Sequence, residues 1–204
     1  MAITKMSNSG IASLGSEKYN DMLAGNAPYI PNSFESIQTI TVTGGETSVT
    51  FSSIPSTYKH LQVRTLVRDT YSSGSADSTT GIMALNGDNT GSNYKYHYTQ
   101  GNGSAAGSAA SGASVMQTFC STYGATSAYA ASIIDIHNYA STTINKTVRT
   151  LMGASMNVAT TGNKMFLVSG AWFNTSAITS LRFDALVTGF AAGSIFALYG
   201  IKDS

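Results

Sequence analysis

The side chains able to do chemistry are few and far apart. The chain carries three histidines, His60, His97 and His137. No two of them stand at the i, i+2 or i, i+4 spacing that puts a metal-binding pair on one strand or helix face. Asp135 and His137 fall on one strand face, and a carboxylate beside an imidazole is how a catalytic histidine is oriented. That arrangement also needs a nucleophile, and no nucleophile elbow, phosphate-binding loop or dinucleotide glycine motif occurs in the sequence. The ten acidic residues are scattered, and nothing in their spacing marks the carboxylate pair that glycoside hydrolysis requires. Asp77, Asp88 and Asn89 offer oxygens for a Ca²⁺ ion, short of the several carboxylates a hard cation wants. Cys120 is the one cysteine, so no internal disulfide forms. Met116 and Phe119 beside it read as the setting of a buried thiol, with neither His nor Lys near in sequence to activate it. The expectation is a protein with no catalytic residues, no metal and no cofactor.

Recognition has a better candidate. Tyr94, Tyr96 and Tyr98 alternate along one strand face, with Lys95 and His97 on the other. A tyrosine offers an aromatic surface and a hydroxyl, which suits a sugar or a protein interface. The same alternation also describes rings that fill the inside of a sandwich.

These side chains must be positioned by strands. The chain has 204 residues, is 42% hydrophobic and only 10% charged, against roughly 25% charged for an ordinary soluble domain. The polar remainder is mostly Ser, Thr, Asn and Gly, which suit pleated surfaces and turns. Strand-like runs, alternating with period two or continuously apolar, recur through Ile40–Val42, Thr47–Phe51, Leu61–Val67, Ile82–Leu85, Tyr94–Tyr98, 115–122, Tyr129–His137, Thr143–Ala154, Met165–Phe173, Leu181–Val187 and Ile195–Ile201. Gly44-Gly45 between the first two runs predicts a hairpin. Asn86-Gly87-Asp88 predicts a turn. Residues 72–78 read as a polar loop. The run from Gln100 to Ala113, QGNGSAAGSAASGA, reads as a mobile loop, since its side chains are too small to anchor it. The run Met165–Phe173 reads as a central strand. Ten or eleven strands without a long helix predict an all-β fold, a two-sheet antiparallel β-sandwich of jelly-roll type, over 34–204.

Residues 1–33 differ. They lack the alternation and hold Pro28 and Pro31, which force an extended path around Tyr29 and Ile30. Ile3, Met6, Ile11, Leu14, Met22, Leu23, Tyr29 and Ile30 are too apolar for a solvated tail, so the segment is expected to be an extended arm that anchors the chain to a neighbour. It does not read as a signal peptide, and no run reaches the about 18 apolar residues of a membrane helix. Synthesis in a cytoplasm, without membrane insertion, is expected. The formal net charge of +1 argues against nucleic-acid binding, which needs clustered Lys and Arg. Low charge also suits a subunit packed among others.

The phrase YNDMLAGNAPYIPNSFESIQTITVTGGETSVTFSSIPSTYKHLQVR (Tyr19–Arg64) resembles a recurrent group of tailed-bacteriophage virion proteins, frequent in cyanophages. LNGDNTGSNYKYHY (Leu85–Tyr98), IIDIHNYASTTINKTVRT (Ile133–Thr150), GAWFNTSAITSLRF (Gly170–Phe183) and IFALYGIKDS (Ile195–Ser204) are similar to later parts of that family. The resemblance implies a β-sandwich carried on a virion as a tail-fibre or tail component, a head fibre or a capsid decoration subunit. It supplies no functional residues. The expectation is therefore a non-enzymatic structural protein assembled in the host cytoplasm, partnered by capsid or tail proteins and by copies of itself, as a homotrimer. The alternative is a receptor-binding module that takes host surface glycan through Tyr94, Tyr96 and Tyr98.

Overall fold

The computed structural model describes residues 34–71, 77–111, 116–123, 127–155, 163–186 and 188–202. The arm expected over 1–33, most of the 72–78 loop and the side chain of Cys120 lie outside the described residues. Twelve strands follow in order: β1 (Phe34–Thr41), β2 (Ser48–Phe51), β3 (His60–Val67), β4 (Asp77–Leu85), β5 (Tyr94–Gly101), β6 (Ala106–Ser111), β7 (Met116–Tyr123), β8 (Ala130–His137), β9 (Lys146–Ala154), β10 (Lys164–Trp172), β11 (Leu181–Asp184) and β12 (Ile195–Ile201).

The pairing of these strands defines the architecture. β1 pairs with β12, β2 with β11, β3 with β8 and β4 with β7, all antiparallel. With the β5–β6 and β9–β10 pairs set aside, first meets last, second meets next-to-last, and so inward. Four nested pairs divided alternately between two sheets make a jelly roll. The two remaining pairs extend one sheet only. That sheet has eight strands, in the order β1-β12-β3-β8-β9-β10-β5-β6, and the other has four, β2-β11-β4-β7.

The alternation seen in the sequence becomes inside and outside. β3 buries Leu61, Val63, Thr65 and Val67 and turns Arg64 and Leu66 outward. β8 buries Ile134 and Ile136, as expected. The centre of the core is a group of phenylalanines from both sheets. Phe119 lies 5.8 Å from Phe183 and 5.8 Å from Phe196, and Phe190 lies 5.1 Å from Phe196. All four are fully buried. Each contributes about 1.5–3 kcal/mol by leaving water.

Two expectations are corrected. Gly44-Gly45 does not close a hairpin: β1 and β2 lie in different sheets. The glycines instead take φ of 123° and 87°, and the chain crosses over the end of the core. The Glu46 carboxylate accepts from the backbone N–H and hydroxyl of Thr43 and the N–H of Gly44, while the Gly45 N–H donates to the Phe190 carbonyl (2.8 Å) and the Phe190 N–H to the Glu46 carbonyl (2.8 Å). Two half-apolar strands can bury their inner faces side by side or from opposite sides of a core, and local alternation reads the same for both. The second correction concerns Gln100–Ala113. Ala106–Ser111 forms β6 and pairs with β5 without a register break. The Asn102 side chain accepts from the Ser104 and Ala105 N–H groups, and Gly103 turns at φ 86°. Backbone pairing needs no large side chain, so a small-residue run can still be a strand.

Candidate functional site

The tyrosine stripe faces inward. Tyr94 is 0% and Tyr96 5% exposed, and Tyr98 is half-buried against the core. Tyr94 stacks on Trp172 at 6.4 Å, and Tyr98 meets Phe166 edge-on at 5.8 Å. The Tyr94 hydroxyl donates to the Asp88 carbonyl (2.9 Å) and accepts from the Leu85 N–H (3.0 Å), and burial pushes its pKa up to about 12. Of the two readings the stripe allowed, the structure has the inner one: β5 turns Lys95 and His97 outward and its rings inward. The physical reason is transfer free energy, since the rings gain by leaving water while burying Lys95 and His97 would strip their hydration.

Asp88 is part of the same inner scaffold. Its carboxylate accepts from Trp172 Nε1 (2.8 Å), Asn93 Nδ2 (2.8 Å) and the Thr90 N–H (2.8 Å). Burial alone would raise its pKa, but these donors outweigh it and hold the group at about 2. Glu46, capped by Thr43 and Gly44, is also held at about 2. Both folded pKa values lie below the ordinary 3.8 and 4.5. The stability these groups contribute is thus fully present above about pH 5 and is lost as the pH falls toward 2. Melting temperature is expected to drop steeply between those limits, and Asp88→Asn to flatten that drop. Calorimetry of both proteins across the acid range checks this, and an unchanged slope in the variant would remove Asp88 from the account.

The structure disperses the remaining chemical candidates. Asp135 accepts from Gln62 Nε2 (2.8 Å) and makes no hydrogen bond to His137. His60 and His137, read as separate in the sequence, meet across β3 and β8 with ring centroids 5.1 Å apart, and His60 Nδ1 accepts from the Asn138 N–H. His97 stays apart on β5. Asn89 is engaged by Arg182 (2.6 Å). Among the described residues no three His, Cys, Asp or Glu side chains are grouped to hold a metal.

Sequence reasoning missed Lys146. It is fully buried and donates to the carbonyls of Ser141 (2.6 Å), Ile144 (2.9 Å) and Thr175 (3.0 Å). Burial pushes its ammonium below the usual lysine range. The signal existed: 146 has the inward parity of Val148, Thr150 and Met152. Its role is to tie the β8–β9 and β10–β11 connections together.

Among the described residues, the outer face of the large sheet is left unpartnered. Leu66 (41%), Ile133 (40%), Leu151 (51%), Leu167 (54%) and Met165 (61%) are exposed there. The register makes them neighbours. Ile133 lies opposite Leu151, and Leu151 opposite Leu167. In the next row Leu66, Ala131, Gly153 and Met165 run straight across four strands. Between Ile133, Leu151 and Met165 lies a shallow apolar hollow of about 250 Å³, floored by Ala131 and Gly153. Further along the strands the same face turns polar, through Gln62, Asp135, Arg149, Ser169 and His97. A compact apolar patch with a polar margin is what protein interfaces present at their centre.

Comparison of the chain with protein-family models, curated proteins and solved structures finds no match.

Proposed function

We propose that this chain is a non-enzymatic structural subunit of a tailed-bacteriophage particle, a tail-fibre, tail or capsid decoration component. In this reading residues 1–33 anchor it and the β-sandwich is packed against neighbouring virion protein and copies of itself. The observation that carries the assembly part is the apolar row across β3, β8, β9 and β10. Five large side chains, each 40–61% exposed, would be a solubility liability on a free monomer. The virion part draws on the resemblance of Tyr19–Arg64 and the later phrases to phage structural proteins. The jelly-roll winding and the low charge agree with both parts. Burial of Tyr94 and Tyr96 takes away the ground for a glycan-binding tyrosine face.

The test is to probe purified phage particles with an antibody raised against residues 34–204. Labelled particles support the reading, and particles free of the chain sink it. Leu151→Glu combined with Leu167→Glu tests the patch. Both sites are half-exposed, so the variant is expected to keep its melting temperature within a few degrees. It should be lost from particles by about tenfold or more, as expected when interface-core side chains are replaced by charge. Normal incorporation would show that the patch is not the interface.

A further inference from the structure

The two sheets end in four edge strands, β1 and β6 in the large sheet and β2 and β7 in the small one. Exposed edges invite pairing with another chain, and proteins usually blunt them. β1 is interrupted by a register shift between Ser36 and Gln38 and carries Glu35, which is paired with Lys202. β2 has only four residues. The free side of β7 is partly taken, since the Asp69 N–H donates to the Thr122 carbonyl and Arg68 bridges Thr122. Among the described residues, β6 has no such device. Its six residues, AGSAAS, include no charge and no proline, and its register against β5 is unbroken.

The backbone direction of β6 follows from its turn. The Asn102 N–H donates to the Ala105 carbonyl (3.1 Å), which makes Asn102 and Ala105 a hydrogen-bonded pair. Hydrogen-bonded and non-bonded pairs alternate along an antiparallel ladder. Gln100–Gly107 and Tyr98–Ala109 are therefore the bonded pairs, and Ala106, Ser108 and Ala110 point their N–H and C=O groups away from β5. These three open positions are spaced evenly about Ser108. Both faces of the strand are bare as well: Gly107 and Ala109 on the inner side are exposed, as are Ala106, Ser108 and Ala110 on the outer.

We propose that β6 pairs antiparallel with β6 of a second copy, joining two large sheets into one across a two-fold axis at Ser108. Ala106 then lies opposite Ala110 of the second copy, Ser108 lies opposite its own counterpart, and all three open positions on each strand are satisfied. The axis is perpendicular to the sheet, so outer faces stay on the same side and the two apolar patches become parts of one surface. A second copy fits better than an unrelated strand for two reasons. Ala, Gly and Ser offer no side-chain pocket to select a foreign sequence. Two uncharged strands of equal length also meet without the like-charge cost that would oppose self-pairing. The inference rests on the assembly reading above and adds to it a mode of contact that is two-fold, where a trimer was the expectation.

The experiment is sedimentation equilibrium of the full chain over a wide concentration range, with Ser108→Lys, Ser108→Glu and their equimolar mixture. The wild type should show a monomer–dimer equilibrium. Each single variant should dimerise about tenfold more weakly, with an unchanged melting temperature, because equal charges then face each other at the axis. The mixture should recover dimer, since Lys and Glu become direct partners. A wild type that stays monomeric or sediments as a trimer overturns the proposal. So do single variants that associate like the wild type, or a mixture that fails to recover. If association responds to Leu151→Glu/Leu167→Glu and not to residue 108, the assembly reading stands and the β6 contact falls. If residue 108 controls a dimer that is absent from phage particles, the contact stands and the virion reading falls.

Discussion

Gly81→Ala is expected to lower the stability of the sandwich by about 3 kcal/mol or more, at the upper end of what overpacking a core costs. A Cβ at position 81 would fall 1.9 Å from Phe119 Cζ and 2.4 Å from Cε1 and Cε2. Gly81 and Phe119 are direct cross-strand partners on β4 and β7, next to a register shift at Gly81/Ile82. The tip of the Phe119 ring therefore fills the space over the glycine. It has nowhere to move, because Phe183 and Phe196 are both 5.8 Å away and Phe190 is 6.0 Å away. For a domain of this size the melting temperature should drop by roughly 6–12 °C. Phe119→Leu alone also costs stability, but combined with Gly81→Ala it frees the space the new methyl needs. The double variant should therefore be more stable than the sum of the two losses predicts. Thermal denaturation of all four proteins measures this. Strict additivity would mean the ring and the glycine are not in contact.

The second large effect belongs to Lys146. Lys146→Met keeps much of the volume and removes the ammonium, leaving the Ser141, Ile144 and Thr175 carbonyls without their donor. A stability loss of about 3 kcal/mol is expected, since each carbonyl left without its donor costs about 1–3 kcal/mol where it stays out of water. The loss should appear in urea denaturation as a lower midpoint with an unchanged slope, because the surface exposed on unfolding is the same. A loss below about 1 kcal/mol would mean that water replaces the ammonium and that the two connections hold without it.

Much of this was legible before the fold. Leu61, Val63 and Val67 and, on the other side of the core, Leu181 and Phe183 were visible as inward positions, because a side-chain period of two is written in consecutive residues. Lys146 was legible too, by parity, though its charge argued against placing it inside. Tyr94, Tyr96 and Tyr98 show the limit. Alternation identified their face but could not say which way that face turned. β10 shows another limit. Its apolar run was read as a central strand, and it does lie between β9 and β5. Only Phe166, Val168, Gly170 and Trp172 are buried, however, while Met165 and Leu167 are exposed on the outer face.

By itself, the sequence determined that the chain is built of strands, which residues alternate within each, and that few charges would interrupt its surfaces. Tertiary structure alone decided that Gly44-Gly45 crosses between sheets and that β6 is a strand. It also brought His60 to His137, and joined Leu66, Ile133, Leu151, Met165 and Leu167 from four strands into one patch. The physical reason is that periodicity is local, set by sterics within a few residues. Strand pairing uses the same backbone hydrogen bonds for every strand, so partner and register are chosen only when all the inner faces are buried at once.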